Sequence, residues 1–422
     1  MADRGLLEMA FKVGLAVGGG YPGVVVGRDT RTTSQALYYS VAAGLLMAGA
    51  ECHDAGVIPT PTLAWAAREF DAGVMITASH NPPEYNGIKL LGPDGAAFDR
   101  RQQQAVEAMV AREAAPLAPW YEVKSTCLYP GAVEGHLGRI LRDFPPAAGL
   151  KVVVDAGGGA ASLVTPRLLE KMGCRVFRIN CSPTGDFPRP SEPTEASLAE
   201  LARATRQSGA ALGIAHDGDA DRMMVVDERG RLVPGDKMLV ILAREMGARQ
   251  VVTSLDASMV IEEMGFTVSR TRVGDSFISA RLREGGDFGG EPSGAWIFPA
   301  VSLCPDGIYA AAQAVAIALK QPLSDLADGI ADYPLRRGSL ELPAVVLSDL
   351  EASLAGLHPE SVSRVDGLRL GFADGWLLVR ASGTEPKVRL TAQARTEARA
   401  RQLYDGVVQM IEGGAARKEK VV

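Results

Sequence analysis

Three aspartates alternate along HDGDADRMMVVD at 216–227. In an extended loop, Asp217, Asp219 and Asp221 can turn their carboxylates onto one hard cation. Few protein interiors tolerate three charges this close without a counter-ion. An all-oxygen donor set, free of thiolate, points to Mg²⁺ rather than zinc. A calcium-binding EF-hand fits poorly, because Arg222 takes the position which that loop gives to glycine, and MMVV reads as a strand. Arg222 instead sets a planar positive fork beside the carboxylates, suited to a phosphoryl group in transfer. The bland alternative, a solvated acidic turn, leaves the alternation without a reason.

A second loop, TASHNPPEYNGIKL at 77–90, carries Ser79 off the end of an apolar run into a turn stiffened by two prolines and Asn86-Gly87. A hydroxyl so held can carry a phosphoryl group if a metal neutralises the charge. No GxSxG elbow surrounds Ser79, which disfavours a serine hydrolase. His80 beside it reads as a ligand contact or a structural donor, and taken alone the loop reads equally as a turn with an N-cap serine.

Two further loops offer polar groups. In GGEPSGAW at 289–296, the glycines allow close backbone approach while Glu291 and Ser293 can bond the hydroxyls of a polyol. Gly274, in TRVGDSF at 271–277, is a further candidate for contact with substrate. In RASGTEPK at 380–387, Arg380, Ser382, Gly383, Thr384 and Lys387 bring a guanidinium, hydroxyls, exposed amides and an ammonium together, a nest for a phosphate dianion. The Walker spacing GxxxxGK[ST] is absent.

Positioning these loops takes several layered units. A chain of 422 residues exceeds one ordinary core. Short β-branched runs that end in Gly or Asp turns and lead into helical stretches signal α/β layering. GVVVGRDTR at 23–31 reads as a strand and polar turn, with a helix over 34–50. LKVVVDAGGGAAS at 150–162 and VVTSLDAS at 251–258 restart the pattern. From 364 to 390 apolar and polar residues alternate as in antiparallel strands, followed by a helix to about Gly413 and a frayed tail. The restarts predict units at 1–147, 148–235, 236–333 and 334–422.

Hydrophobic residues at 47 % and charged ones at 22 % place the chain among folded globular proteins. A net charge of −6, from 44 basic and 50 acidic residues, argues against a surface for nucleic acid. Five cysteines without a CxxC pair argue for reduced thiols in a cytoplasmic protein. No long apolar run suggests secretion or a membrane span.

In this order, GRDTR, TASHNPPEYNGIK, DGDADR, GGEPSG and RASGTEPK closely resemble the α-D-phosphohexomutase family over nearly the whole chain. The resemblance implies three similar mixed-sheet α/β domains and a C-terminal TBP-like α+β domain around a central cleft. It implies Ser79 as the phosphoserine, Mg²⁺ held by its phosphate with Asp217, Asp219 and Asp221, and Lys89 and Arg222 assisting transfer. Glu291 and Ser293 would hold the sugar, and the 380–387 loop the phosphate that is not reacting. A hexose 1,6-bisphosphate would be the intermediate and activator, and a mobile hinge would let it turn over. GEPSG followed by AWIF and CPDG resembles the archaeal-type phosphoglucosamine mutase branch, which places glucosamine phosphate ahead of mannose or glucose phosphate as substrate.

The chain departs from the family pattern twice. The usual N-terminal GTxGxRG-like strand has no counterpart, which implies an unpaired edge in the first sheet. Ala295 stands where many members have histidine, leaving Lys89 or another group as acid or base. A non-catalytic sugar-phosphate-binding protein and a phosphatase remain alternatives at this point, and oligomeric state is open.

Overall fold

In the computed structural model, which describes residues 4–112, 116–341, 351, 354–381 and 387–418, one strand order recurs three times. The first sheet holds β1 (Gly23–Arg28), β2 (Glu51–Val57), β3 (Ala72–Ile76), β4 (Ile88–Leu91) and β5 (Thr126–Leu128) in the order β4-β3-β1-β2-β5. The second holds β6 (Lys151–Asp155), β7 (Arg175–Ile179), β8 (Leu212–His216) and β9 (Met223–Asp227) as β7-β6-β8-β9. The third holds β10 (Gln250–Ser254), β11 (Thr267–Thr271), β12 (Phe288–Gly290) and β13 (Trp296–Ile297) as β11-β10-β12-β13. In each sheet the first three strands run parallel and the fourth returns antiparallel to the third. Val24, Val25 and Val26, like Val152, Val153 and Val154, are fully buried, the near-continuous apolar run of a parallel strand covered on both faces.

This topology sets the chemistry. Loops at 77–87, 217–222 and 291–295 each join a third strand to a fourth. They therefore leave from the carboxyl ends of parallel strands, where open α/β sheets bind ligands.

The N-terminal residues form the helix Arg4–Gly18, which crosses the helix Ser34–Met47 at very close range. A Cβ on Gly14 would lie 2.2 Å from Val41 O, and one on Gly44 2.2 Å from Phe11 O, so only glycine allows this approach. β4 pairs with β3 alone and stands at the sheet edge.

The second and third units share one apolar core, in which Val154, Ile214, Val225 and Leu242 join Phe288, Trp296, Phe298 and Ile308. Their site loops are joined through the backbone as well. Met223 N–H donates to Gly294 O at 2.9 Å, Arg222 bridges Ala295 in antiparallel fashion, and Trp296 Nε1 donates to Met223 O at 2.7 Å.

The fourth sheet is wholly antiparallel. β14 (Leu335–Glu341), β15 (Ser361–Ser363), β16 (Leu368–Phe372), β17 (Gly375–Ala381) and β18 (Lys387–Ala394) lie in the order β14-β18-β17-β16-β15. The helix Glu397–Lys418 covers one face and buries Ala400, Leu403, Val407 and Ile411 against Leu377, Val379 and Leu390. It continues past the expected end at Gly413, since Ala415, Ala416, Arg417 and Lys418 are good helix formers. Leu255 and Met259 of the third unit pack on Trp376 and Leu378 of the fourth, and Arg369 donates to Leu255 O at 3.0 Å. None of the described helices is long and apolar enough to cross a membrane.

Candidate active site

Ser79 sits just past β3 with φ of +50°, in the left-handed region that a non-glycine residue seldom adopts. Its loop is held by one buried side chain. Arg31, in the turn after β1, donates from one guanidinium nitrogen to Ser79 O and Asn81 O, both at 2.8 Å. From the other it donates to Pro82 O at 2.6 Å and Tyr85 O at 2.9 Å. Asp29 Oδ2 fixes the guanidinium in turn, accepting from Arg31 Nε at 2.9 Å and from Thr77 Oγ1 at 2.7 Å. Ser79 is thereby turned toward the second unit, where its Oγ donates to Asp217 Oδ2 at 2.8 Å.

Arg31 therefore carries a measurable prediction. Arg31→Lys supplies an ammonium that cannot span this fan of carbonyls. It leaves several partly buried carbonyls without this donor, which costs about 2 kcal/mol of stability and, by displacing Ser79, roughly a hundredfold in turnover. Urea unfolding together with steady-state kinetics of the variant checks both numbers.

Asp217, Asp219 and Asp221 converge as their spacing predicts, with one ligand oxygen from each lying within 4.8 Å of the others. All three are buried. Asp217 Oδ1 accepts from Arg222 N at 3.2 Å, leaving Oδ2 for the serine. Lys89, on β4, donates to Asp219 Oδ2 and Asp221 Oδ2, both at 2.7 Å. Asp219 Oδ1 and Asp221 Oδ1 are buried without a hydrogen-bond partner, and an unsatisfied carboxylate oxygen of this kind fits a cation ligand.

Charge follows from this packing. Burial, then the Asp221 and Asp219 carboxylates, push the Asp217 carboxyl well above its ordinary value. Burial opposes ionisation of Asp219 too, but Lys89 and the bonds it shares with Thr60 outweigh it, and that carboxyl titrates below the usual range. For Lys89 the burial cost is more than offset by Asp219, Asp221 and Asp275, so its ammonium persists well above the ordinary lysine range. Lys89 so placed sets an ammonium against two of the three carboxylates.

The loop behind the aspartates is fixed by a buried histidine. His216 Nδ1 lies 2.9 Å from Arg222 O, which can only accept, so Nδ1 carries the proton and Nε2 accepts from Thr165 Oγ1 at 3.0 Å. Burial lowers the His216 pKa to about 4 and keeps the ring neutral. Burial and then Arg222 likewise lower that of His80, whose Nδ1 is buried without a partner.

A cleft of about 540 Å³ opens over these groups, lined by Ser79, His80, Lys89, Asp221, Arg222, Asp275, Glu291 and Ala295. Glu291 Oε1 accepts from Gly274 N at 2.7 Å, and Ser293 Oγ lies 3.5 Å from Glu291 Oε2, so the three sugar-loop candidates meet. Burial lifts the Glu291 carboxyl to about 7. From the fourth unit, Arg380 pairs with Asp366 at 2.7 Å, and Val273 N–H, beside Gly274, donates to the same Asp366 oxygen at 3.3 Å. Lys387 opens β18. Ser382, Gly383 and Thr384 lie outside the described residues.

Thr60 and Asp275, which line the cleft, and Arg31, buried behind the Ser79 loop, were not among the candidates read from motifs. Arg31 lies within GRDTR, where a basic residue after an aspartate at a strand end was the available signal. Asp275 adjoins Gly274, and burial raises its carboxyl above the ordinary value. Thr60, in PTPT, had no signal beyond the start of a helix.

Patterns for four successive domains described as phosphoglucomutase/phosphomannomutase match the chain: alpha/beta/alpha domain I over residues 6–116, domain II over 139–230, domain III over 234–333 and the C-terminal domain over 340–410. A probable phosphoglucosamine mutase of Methanocella arvoryzae is 45 % identical over 407 residues, covering 94 % of this chain and 92 % of that protein. A phosphoglucosamine mutase of Methanococcus aeolicus is 37 % identical over 436 residues, covering 98 % and 96 %. The crystal structure of a phosphoglucomutase/phosphomannomutase family protein from Burkholderia thailandensis, 28 % identical, superposes with a TM-score of 0.88 over 97 % of this chain and 94 % of that one.

Proposed function

The chain belongs to the phosphoglucomutase/phosphomannomutase family, and from that premise we propose that it interconverts glucosamine 6-phosphate and glucosamine 1-phosphate through phosphorylated Ser79. It is a phosphohexomutase, an intramolecular phosphotransferase. The observation that carries the role of Ser79 is its hydroxyl on Asp217 Oδ2 at 2.8 Å, at the rim of a buried triad in which Asp219 Oδ1 and Asp221 Oδ1 lack partners.

Mg²⁺ would be held by Asp217, Asp219, Asp221 and the Ser79 phosphate, an all-oxygen set of the kind this ion takes. When bound it supplies neutralising charge to the transferring group. The chain's own residues do the rest. Arg31 presents Ser79, and Lys89 and Arg222 offer positive charge along the path of the phosphoryl oxygens. As the bond from Ser79 Oγ to phosphorus breaks, one forms to the free hydroxyl oxygen of the sugar, whose proton ends on Ser79 Oγ, giving the 1,6-bisphosphate and the free serine. Glu291, Ser293 and Gly274 would hold the ring, while Arg380 and Lys387, with the loop between them, would hold the other phosphate. After the bisphosphate turns over, that phosphate returns to Ser79. We divide the chain near residues 148, 236 and 334, so that each unit lends one loop to this cleft. A cytoplasmic setting accords with the five cysteines, all free thiols.

Glu291→Gln separates binding from stability. The amide keeps the bond from Gly274 but loses the charged acceptor, so KM for the sugar phosphate rises about tenfold. The folded carboxyl titrates near 7 against 4.5 for the ordinary group. Its ionisation therefore costs nothing below pH 4.5, costs progressively more as pH rises toward 7, and costs its full amount, on the order of 3 kcal/mol, above that. Thermal unfolding of the ligand-free protein should show the variant more stable than wild type near pH 8 and no different near pH 4.

Phosphorus NMR of the protein with glucosamine 6-phosphate, Mg²⁺ and catalytic glucosamine 1,6-bisphosphate tests the function. Appearance of the 1-phosphate without inorganic phosphate is the expected result. Steady release of inorganic phosphate would point to a phosphatase, and binding without interconversion to a sugar-phosphate carrier. The ratio of kcat/KM for glucosamine, mannose and glucose phosphates then decides the sugar.

A further inference from the structure

The cation site of the second unit is reached by a side chain from the first. Thr60 opens the short helix Thr60–Ala66 that follows β2, and it is 2 % exposed. Its N–H donates to the main-chain oxygen of Asp219 at 2.9 Å, and its hydroxyl donates to Asp219 Oδ2 at 2.5 Å. One residue thus grips the central aspartate by its backbone and its carboxylate. Lys89 Nζ reaches the same Oδ2 at 2.7 Å.

The consequence lies in the other oxygen. With Oδ2 engaged by two donors, Asp219 χ2 is fixed, and Oδ1 is left buried and unpartnered. A carboxylate free to rotate would expose either oxygen to the cation at an entropic cost, whereas one pinned from behind presents a single ligand atom. Lys89 cannot fix this orientation alone, because its ammonium is shared with Asp221 Oδ2 and sits on a flexible stem. The hydroxyl of Thr60 has no second partner competing for it among the described residues.

We propose that Thr60 is a positioning residue for the divalent cation: it holds Asp219 so that Oδ1 faces the ion, and the site attains full affinity only when the first unit is docked on the second. This rests on the reading of the triad as a cation site.

The test is calorimetric titration of the full chain with Mg²⁺, repeated with Mn²⁺, for wild type, Thr60→Val, Thr60→Ala and Thr60→Ser. Val keeps the shape and removes the hydroxyl, Ala removes it with less steric demand should Val disturb the fold, and Ser keeps it. The expected result is a loss of affinity of about 10- to 100-fold in Val and Ala, with Ser within about threefold of wild type, and turnover of Val or Ala recovering as Mg²⁺ is raised. A loss below about fivefold in either folded variant, or an equal loss in Ser, overturns the role of Thr60. Absence of cation binding in wild type would instead sink the reading of the triad itself.

Discussion

Ser79→Ala leaves a folded protein that takes up no phosphate and interconverts hexose phosphates at least about four orders of magnitude more slowly than wild type. The size of the loss follows from the arrangement. Among the described residues Ser79 Oγ makes one hydrogen bond, to Asp217, so its removal disturbs little packing, and the Arg31 fan binds the loop through main-chain oxygens that alanine retains. The left-handed backbone at Ser79 is no worse for alanine than for serine by more than about 1 kcal/mol. Activity is lost while stability is kept, and mass spectrometry, circular dichroism and kinetics of the purified variant give the three readings. A variant that still turned over at a tenth of the wild-type rate would remove Ser79 from the mechanism.

Asp217→Asn is expected to act in opposite directions on activity and stability. Its carboxylate takes the serine hydroxyl and belongs to the triad, and turnover falls by about three orders of magnitude. Yet in the cation-free protein its charge is a burden. Burial and the neighbouring Asp221 and Asp219 raise its pKa well above the ordinary 3.8. A carboxyl with a raised folded pKa destabilises as it ionises, so the cost is absent below about pH 3.8, grows as pH rises toward the folded value and is constant above it. The amide abolishes that cost while Asp219 and Asp221 still hold Lys89. Without added metal, the variant should melt higher than wild type at neutral pH and equally near pH 4. With saturating Mg²⁺ the difference should shrink or invert, because wild type alone regains a full ligand set.

Much of this site can be read from the chain because local spacing carries it. In Asp217, Asp219 and Asp221 the period of an extended loop turns alternate side chains to one side, and that is a local feature. Ser79 stands out because the prolines and Asn86-Gly87 that stiffen its loop adjoin it. The three α/β restarts were visible for the same reason, since Val-rich buried strands and Gly or Asp turns are local features.

What escaped depends on contacts across the chain. Thr60 is an ordinary helix-opening threonine until the first unit docks on the second, 159 residues away at Asp219. The helix Arg4–Gly18 gains its place from the Gly14–Gly44 crossing, which no periodicity within either helix announces. Likewise, the backbone pairing of Met223 with Gly294 ties the aspartate loop to the 291–295 loop through main-chain groups, which no side-chain pattern announces. Gly413 and Gly414 suggested an earlier end to the last helix, and the helix formers beyond them carry it on to Lys418.

The central claim, that Ser79 is a phosphoryl carrier, is tested most directly by intact mass and peptide mapping of the protein before and after incubation with glucosamine 1,6-bisphosphate and Mg²⁺. One added phosphate on the peptide containing Ser79, discharged on addition of glucosamine 6-phosphate and absent from Ser79→Ala, is the predicted result. A folded, active protein whose Ser79 remains unmodified through every stage of that cycle would contradict it.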